Sequence, residues 1–241
     1  MPVESALIAM FFALVHFGAR RLAFLARTPR SIWLSGAGGI SVAYVFLHLL
    51  PQLHEGQHTL MESAPWPWLA QQGGGTYLLA LGGLTVFYGL EQVAARSRAA
   101  QRTGGGGDRT GTGAFAVHIG AFALYNFSIG YLLLEAERDN LLLYGIALGL
   151  HFVVNDQALR EHHKDRYDAF GRWLLAAAVL AGWALAFQVD VPEPAIRMLI
   201  AFLAGGVILN VLKEELPQER ASRFGAFAAG VVLYGALLLS V

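Results

Sequence analysis

The chain has 241 residues, of which 56% are hydrophobic and 14% charged, with zero formal net charge and a mean hydropathy of +0.50. Soluble domains carry more charge, so the composition indicates a protein dissolved in lipid, and the zero net charge offers no argument for a nucleic-acid partner. The absence of cysteine excludes disulfides, thiolate metal sites and a cysteine nucleophile, so any metal must be bound by His, Asn, Asp or Glu.

Apolar segments recur along the whole chain. A helix that crosses a bilayer needs about 20 mainly apolar residues. The first segment follows MPVES, which carries no positive charge, so we interpret it as a retained helix and not as a signal peptide. The sequence therefore predicts an all-α integral membrane protein, a single transmembrane domain over residues 1–241. Its eight spans are predicted at residues 4–19, 31–50, 75–94, 113–134, 141–160, 170–188, 195–213 and 224–241.

The basic residues predict the orientation, because short cytoplasmic loops collect Lys and Arg. With both termini outside, fifteen of the 17 basic residues fall on the inner side, and only Arg138 and Arg197 fall outside. Short loops and compact length suit a bacterial plasma membrane. The segment from Ala99 to Thr112, AAQRTGGGGDRTGT, predicts a flexible cytoplasmic loop at about residues 97–112. It does not have the Lys-Ser/Thr ending of a phosphate-binding loop.

Residues 54–58, HEGQH, match the HExxH pattern of zinc metalloproteases. On a helix this pattern places both His side chains on one face, with the Glu poised to activate a zinc-bound water. Here it begins three residues after Pro51, and Gly56 weakens a helix at this point. Glu62 is the nearest third ligand, and its spacing does not match the usual proteases. We therefore do not expect a protease, nor any other enzyme.

Two interpretations of this region remain open. One is an external patch that collects cations, formed by His48, His54, Glu55 and His58. The other is an ordinary solvated loop, continued by aromatic anchoring at the membrane interface through Pro65-Trp66-Pro67-Trp68.

Helices two and seven share a pattern. Gly38-Gly39 begins an apolar run that ends in Leu50-Pro51-Gln52, and Gly205-Gly206 begins one that ends in Leu216-Pro217-Gln218. The predicted orientation makes the two helices antiparallel, and an inverted repeat is typical of transporters with alternating access. Alternatively, the Gly pairs only permit close helix packing and the Pro residues only end helices.

Polar residues within predicted spans are concentrated in helices four and five. Such residues are costly in lipid and usually face the bundle interior or a wet path. His151 and Asn155 share one helix face, and Asp156 is interpreted as the only carboxylate well inside a span. These groups are plausible Zn²⁺ ligands, but they are equally suited to hydrogen bonding between helices. Asn126 and His151 are placed near mid-depth, and His118, Asp156 and Asn210 toward the cytoplasm.

Two histidines follow at the inner end of helix five. His162-His163, with Asp165 and Asp168, is consistent with an inner exit site for a cation. We interpret it instead as a solvated cytoplasmic turn, because charged residues surround it.

Four stretches resemble motifs of ZIP-family divalent metal transporters. Residues 125–130, YNFSIG, resemble the helix-four motif His-Asn-x-x-(Asp/Glu)-Gly, and residues 151–156, HFVVND, resemble the helix-five motif His-Glu-x-Pro-His-Glu. Residues 46–52, FLHLLPQ, are similar to the helix-two ending, usually His-Leu-Leu-Pro-Glu. Residues 213–219, KEELPQE, are similar to Glu-Glu-Leu-x-Pro-Glu of helix seven.

The resemblance implies an inverted repeat of helices 1–3 and 6–8 around helices 4 and 5, which hold the metal. The transported substrate would be Zn²⁺ or a similar divalent cation, with no prosthetic group. The bilayer and the ion are the expected partners, and a homodimer stays open. The expected metal-binding residues are Asn126, His151, Asn155, Asp156, His118, His48, His54 and His58.

This chain departs from the family pattern at several positions. Tyr125 replaces a metal-binding His, Ile129 and Phe152 replace acids, and Val154 replaces the helix-five Pro. Three functions therefore remain open: a transporter with a reduced site, a degenerate relative that lost the metal and is structural, regulatory or carries another small solute, and an intramembrane metal-dependent hydrolase. The first is the function we expect.

Overall fold

The computed structural model describes residues 2–21, 31–63, 74–134, 141–215 and 223–240, with only the backbone at 63, 214 and 215. All regular structure in these ranges is helical, and we number the helices α1 to α8. Two helices begin or continue through a π-helical turn. The bounds are α1 Pro2–Gly18; α2 Ile32–Tyr44, its π turn Val45–Leu49 and Leu50–Ser63; α3 Gly75–Thr103; α4 Thr112–Leu132; α5 Leu141–His163; α6 with its π turn Tyr167–Gly171 and Arg172–Leu185; α7 Glu193–Glu215; and α8 Phe224–Leu238.

Six of the described helices, α2 to α7, contain segments long and apolar enough to cross a membrane. The helices α1 and α8 are apolar but shorter, with 17 and 15 residues. Large apolar side chains such as Trp33, Leu124 and Leu233 are exposed on the outside of the bundle, as expected for a surface that lipid covers. The structure thus supports a helical protein embedded in a membrane.

The helices pack mainly in pairs. The most extensive contacts join α2 to α8, α3 to α7 and α4 to α6, and α1 packs on both α5 and α6. Glycines allow the closest approaches: Gly39 lies against the backbone of α8, Gly205 against α3, and Gly182 against α4. Small residues serve this role in membrane bundles, where the apolar solvent provides no hydrophobic drive for helices to associate.

The second helix is longer than the sequence suggested. We expected it to end near residue 50 and Gly56 to weaken a helix beyond, but Leu50–Ser63 is helical and continues α2. The π turn explains how Pro51 is accommodated, because Leu50 N–H bonds the carbonyl of Val45, five residues earlier. Such a widened turn relieves the clash between the proline ring and the preceding turn.

The connection between α3 and α4 is shorter than expected, because the helix continues through Thr103. Asp108 accepts hydrogen bonds from Arg98 and Arg102, which hold the pKa of this carboxyl below its usual range. Thr110 is buried and its N–H bonds the carbonyl of His162 at 3.1 Å. The flexibility predicted for this loop stays a prediction.

The bundle therefore has two ends. We call the end with Gly18, Gly104–Thr110 and His163 the loop end, and the end with Leu132 and Asp190 the opposite end. Every Lys and Arg in the described ranges lies toward the loop end except Arg197. Arg27, Arg30, Arg138, Arg220, Pro65–Trp68 and Leu216–Gln218 lie outside the described residues.

Gly205→Ala tests the α3–α7 contact. A Cβ at Gly205 would stand 1.8 Å from the carbonyl oxygen of Ala80 and 2.6 Å from Leu84 N, so the two helices must separate. We expect a loss of about 1–3 kcal/mol in unfolding free energy, measured by denaturation in detergent. The matched control is Gly82→Ala, where a Cβ meets nothing within 4 Å. Equal stability of the two variants would contradict the close packing.

Candidate functional site

A cavity of about 560 Å³ opens at the opposite end between α2, α4, α5 and α7. Polar and charged side chains line its mouth, namely His48, Gln52, Glu55, Asp190, Glu193 and Arg197. The connection that carries Asp190 is held against α4, because the Tyr131 hydroxyl donates to Val189 O and accepts from Val191 N–H. The mouth is thus a fixed part of the bundle.

The cavity reaches Tyr125 at mid-depth. The Tyr125 hydroxyl lies 3.2 Å from His151 Nε2, and both side chains are buried. The Tyr125 ring packs edge-on against Phe87. Tyr125 therefore forms part of the cavity wall and occupies a nitrogen of the neighbouring His151.

On the loop side of Tyr125, an imidazole joins α4 to α5. His16 of α1 lies between Asn126 and Asp156, with Nε2 2.8 Å from Asn126 Oδ1 and Nδ1 2.9 Å from both Asp156 oxygens. All three side chains are fully buried. Asn126 Nδ2 donates to Phe122 O, so Oδ1 is left to accept. His16 Nε2–H therefore donates to Asn126, while Nδ1 shares a hydrogen bond with the Asp156 carboxyl group.

The position of His16 follows from how α1 ends. The carbonyls of Phe17 and Ala19 accept hydrogen bonds from Arg172 of α6 and Gln157 of α5. The ring of Phe152 packs beside His16. We did not predict a role for His16 from the sequence. The signal that could have found it is its place near the end of an apolar span, where an ionisable residue is costly unless it is paired.

The remaining polar residues of α4, α5 and α7 behave differently from one another. Ser128 donates to Leu124 O of its own helix. The Nδ2 atoms of Asn155 and Asn210 are buried without a hydrogen-bond partner in the described part of the chain. The structure therefore brings Asn126 and Asp156 together through His16, while His151 is bonded to Tyr125.

A second polar cluster lies at the loop end. Glu91 of α3 is buried, contacts Lys213 of α7, and lies 3.4 Å from His118 Nε2 and 3.3 Å from His162 Nε2. His163 is fully buried between His118 and Thr110, with its Nε2 2.9 Å from His118 Nδ1 and its Nδ1 2.6 Å from the Thr110 hydroxyl oxygen.

This loop-end cluster corrects two interpretations from the sequence. Asp156 is not the only carboxylate inside the bundle, because Glu91 lies within α3, which continues beyond the predicted span. The pair His162-His163 is not a solvated turn, since the loop folds over it and buries His163. Asp168 is bonded to Arg160 and takes no part in the cluster.

The HExxH segment is helical, and the rings of His54 and His58 lie with their centroids 6.0 Å apart on one face of the helix. His54, Glu55, His58 and Glu62 are exposed, while Gln57 turns inward and accepts from Thr76 N–H at 3.0 Å. Glu55 and His48 line the cavity, whereas His54 and His58 do not. As the side chains stand, no three His, Asp or Glu groups in the described ranges form a group that could hold a metal ion.

No family model, curated protein or solved structure matches the chain. The geometry of the cavity, the His16 bridge and the loop-end cluster is therefore the basis for a functional proposal.

His16→Ala tests the bridge between α4 and α5. The variant leaves Asp156 as a buried carboxylate without its cation, and we expect a loss of about 3–5 kcal/mol in unfolding free energy. Removing both groups, in His16→Ala/Asp156→Ala, should cost clearly less than the sum of the single variants. Denaturation in detergent measures all three, with His54→Ala as the exposed control. Additive losses would show that the two side chains do not interact.

Proposed function

We propose that the chain is a transmembrane carrier of divalent metal cations, Zn²⁺ or a similar first-row ion, with a ZIP-like architecture and alternating access. The observation that carries the proposal is the succession of polar side chains through an apolar bundle, from the cavity to the loop end. Buried polar groups in a membrane protein are costly and mark ion paths. No covalent chemistry is required, so the proposed activity is not enzymatic.

The cavity mouth suits a cation. Glu55, Asp190 and Glu193 contribute carboxylates, and Arg197 lies 3.3 Å from Glu193. A cleft lined with negative charge raises the local concentration of cations. In this proposal His48 and Glu55 receive the ion, and the wider patch that includes His54 and His58 is not needed. The mouth faces outward if the basic loop end is cytoplasmic.

Between α4 and α5, the ion would take the place that His16 now holds. Asn126 Oδ1 and Asp156 are oxygen acceptors, and His151 and Asn155 lie on α5 within one turn of each other. An incoming dication and the His16 ring compete for the same acceptors.

The helix pairing supports a rocking motion. Under an inverted repeat of helices 1–3 and 6–8, the α2–α8 pair corresponds to α7–α3, and α1–α5 corresponds to α6–α4; all four pairs are in contact. The Gly39 contact with α8 and the Gly205 contact with α3 occupy corresponding places. Such repeats move against one another around a site at the membrane midplane. A homodimer is compatible with this proposal.

One observation favours a second candidate, a degenerate relative that no longer transports metal. His16 already satisfies Asn126 and Asp156, and Tyr125, Ile129 and Phe152 are buried apolar or aromatic side chains where the family has ligands. A bundle stabilised in this way needs no ion. Its function would then be structural, regulatory or the transport of another small solute.

Flux into proteoliposomes distinguishes the two candidates. We expect the purified protein to admit Zn²⁺, and Asn126→Ala and His151→Ala to reduce the initial rate by about tenfold or more, since each removes a coordinating group. Ser128→Ala is the matched control on α4, because Ser128 donates to its own helix. Its flux should equal that of the parent protein.

Folded protein that passes none of Zn²⁺, Fe²⁺, Mn²⁺ and Co²⁺ would support the degenerate relative. Metal that stays tightly bound to the purified protein, together with hydrolytic activity, would support the hydrolase instead.

A further inference from the structure

The loop-end cluster brings together a carboxylate and imidazoles from three helices. Glu91 lies on α3, His118 on α4 and His162 on α5, and both histidines direct Nε2 at the Glu91 carboxylate. The proposed transport step between α4 and α5 uses none of the three. Four ionisable groups, counting Lys213, have thus been placed together near the end of an apolar bundle, at a cost in desolvation.

The atoms that face one another are spaced as ligands of one ion would be. His118 Nε2 lies 3.4 Å from Glu91 Oε1, and His162 Nε2 lies 3.3 Å from Glu91 Oε2. In a tetrahedral zinc site with bonds of about 2.0–2.1 Å, neighbouring ligand atoms are about 3.3–3.4 Å apart. These separations are long for hydrogen bonds, and His118 Nε2, although fully buried, makes none of standard geometry in the described part of the chain.

A relay behind His118 can orient its ring. His118 Nδ1 lies 2.9 Å from His163 Nε2, and His163 Nδ1 lies 2.6 Å from the Thr110 hydroxyl. If each ring donates outward, from His118 to His163 and from His163 to Thr110, the Nε2 lone pair of His118 points at the position beside Glu91. Metal-binding histidines are held in this way by a hydrogen bond from the other ring nitrogen.

The ammonium group of Lys213 lies beside Glu91, where a bound metal ion would lie. The Lys213 ammonium contacts Glu91 Oε2, so the carboxylate already has a monovalent cation. With Lys213 in place, the three ligands do not close around one point.

We propose that Glu91, His118 and His162 form a divalent-cation site at the loop end, for which Lys213 is the built-in competitor. The ligand is a borderline divalent ion such as Zn²⁺ or Co²⁺, which accepts imidazole and carboxylate together. Competition by Lys213 makes the site weak and quick to release its ion. The inference does not require that the protein transports metal.

Co²⁺ binding to purified protein in detergent tests the site, because tetrahedral Co²⁺ with imidazole ligands absorbs visible light. We expect Lys213→Met to tighten Co²⁺ and Zn²⁺ binding by about tenfold or more, because the Lys213 ammonium no longer competes with the ion for the Glu91 carboxylate. Lys213→Met/Glu91→Gln, which removes both charges, should lose the absorption, as should Lys213→Met/His118→Ala. Lys213→Met/His54→Ala should keep it, because His54 is exposed and lies outside this cluster.

Unchanged affinity in folded Lys213→Met protein would overturn the proposal, as would a spectrum that survives Glu91→Gln in the Lys213→Met background. Loss of the spectrum with His151→Ala but not with His118→Ala would place the bound ion at the transport position instead. Binding without flux would leave this site standing while the proposed transport fails.

Discussion

The bundle depends on the neutralisation of two carboxylates within an apolar interior. Asp156 is bonded to His16 from α1, and Glu91 contacts Lys213 from α7. A carboxylate buried without a partner would be protonated or would destabilise the fold, because desolvation of a lone charge costs several kcal/mol. In each case the cation comes from a helix other than the one that carries the acid. The two ion pairs therefore hold α1 on α5 and α7 on α3, and both lie beside α4.

Under the proposed transport, an incoming metal ion would have to displace the internal partners of these two carboxylates. An ion that approaches Asp156 or Glu91 gains only the difference between its own interaction and that of the internal cation it displaces. Net affinity is lowered by that exchange, which suits a carrier, because a carrier must release its ion as readily as it binds it.

Much of the fold could be predicted from the sequence. Apolar length located the helices, Gly39 and Gly205 marked close contacts, and Asn126, His151, Asn155 and Asp156 are buried as expected for polar groups in a span. The partners could not be predicted. His16 lies 140 residues from Asp156 and Lys213 lies 122 residues from Glu91, and hydropathy carries no information on which helices meet. The sequence also led us to expect that the helix would end near Pro51 and Gly56. It continues because a π turn accommodates the proline and because Gly56 lies close to Thr76 and Arg197.

Tyr125 and His16 together separate the two candidate functions in physical terms. In a carrier, the Tyr125–His151 contact and the His16 bridge would both break during each transport cycle. Their strength would then contribute to the energy barrier to transport. In a degenerate relative, they are permanent and replace the lost metal as the link between α4 and α5. The Asn155 amide does not separate the two candidates, because its Nδ2, buried without a partner in the described part of the chain, is a donor, and a cation would bind the amide oxygen instead. What separates them is whether His16 gives up Asn126 Oδ1 and Asp156 to an ion.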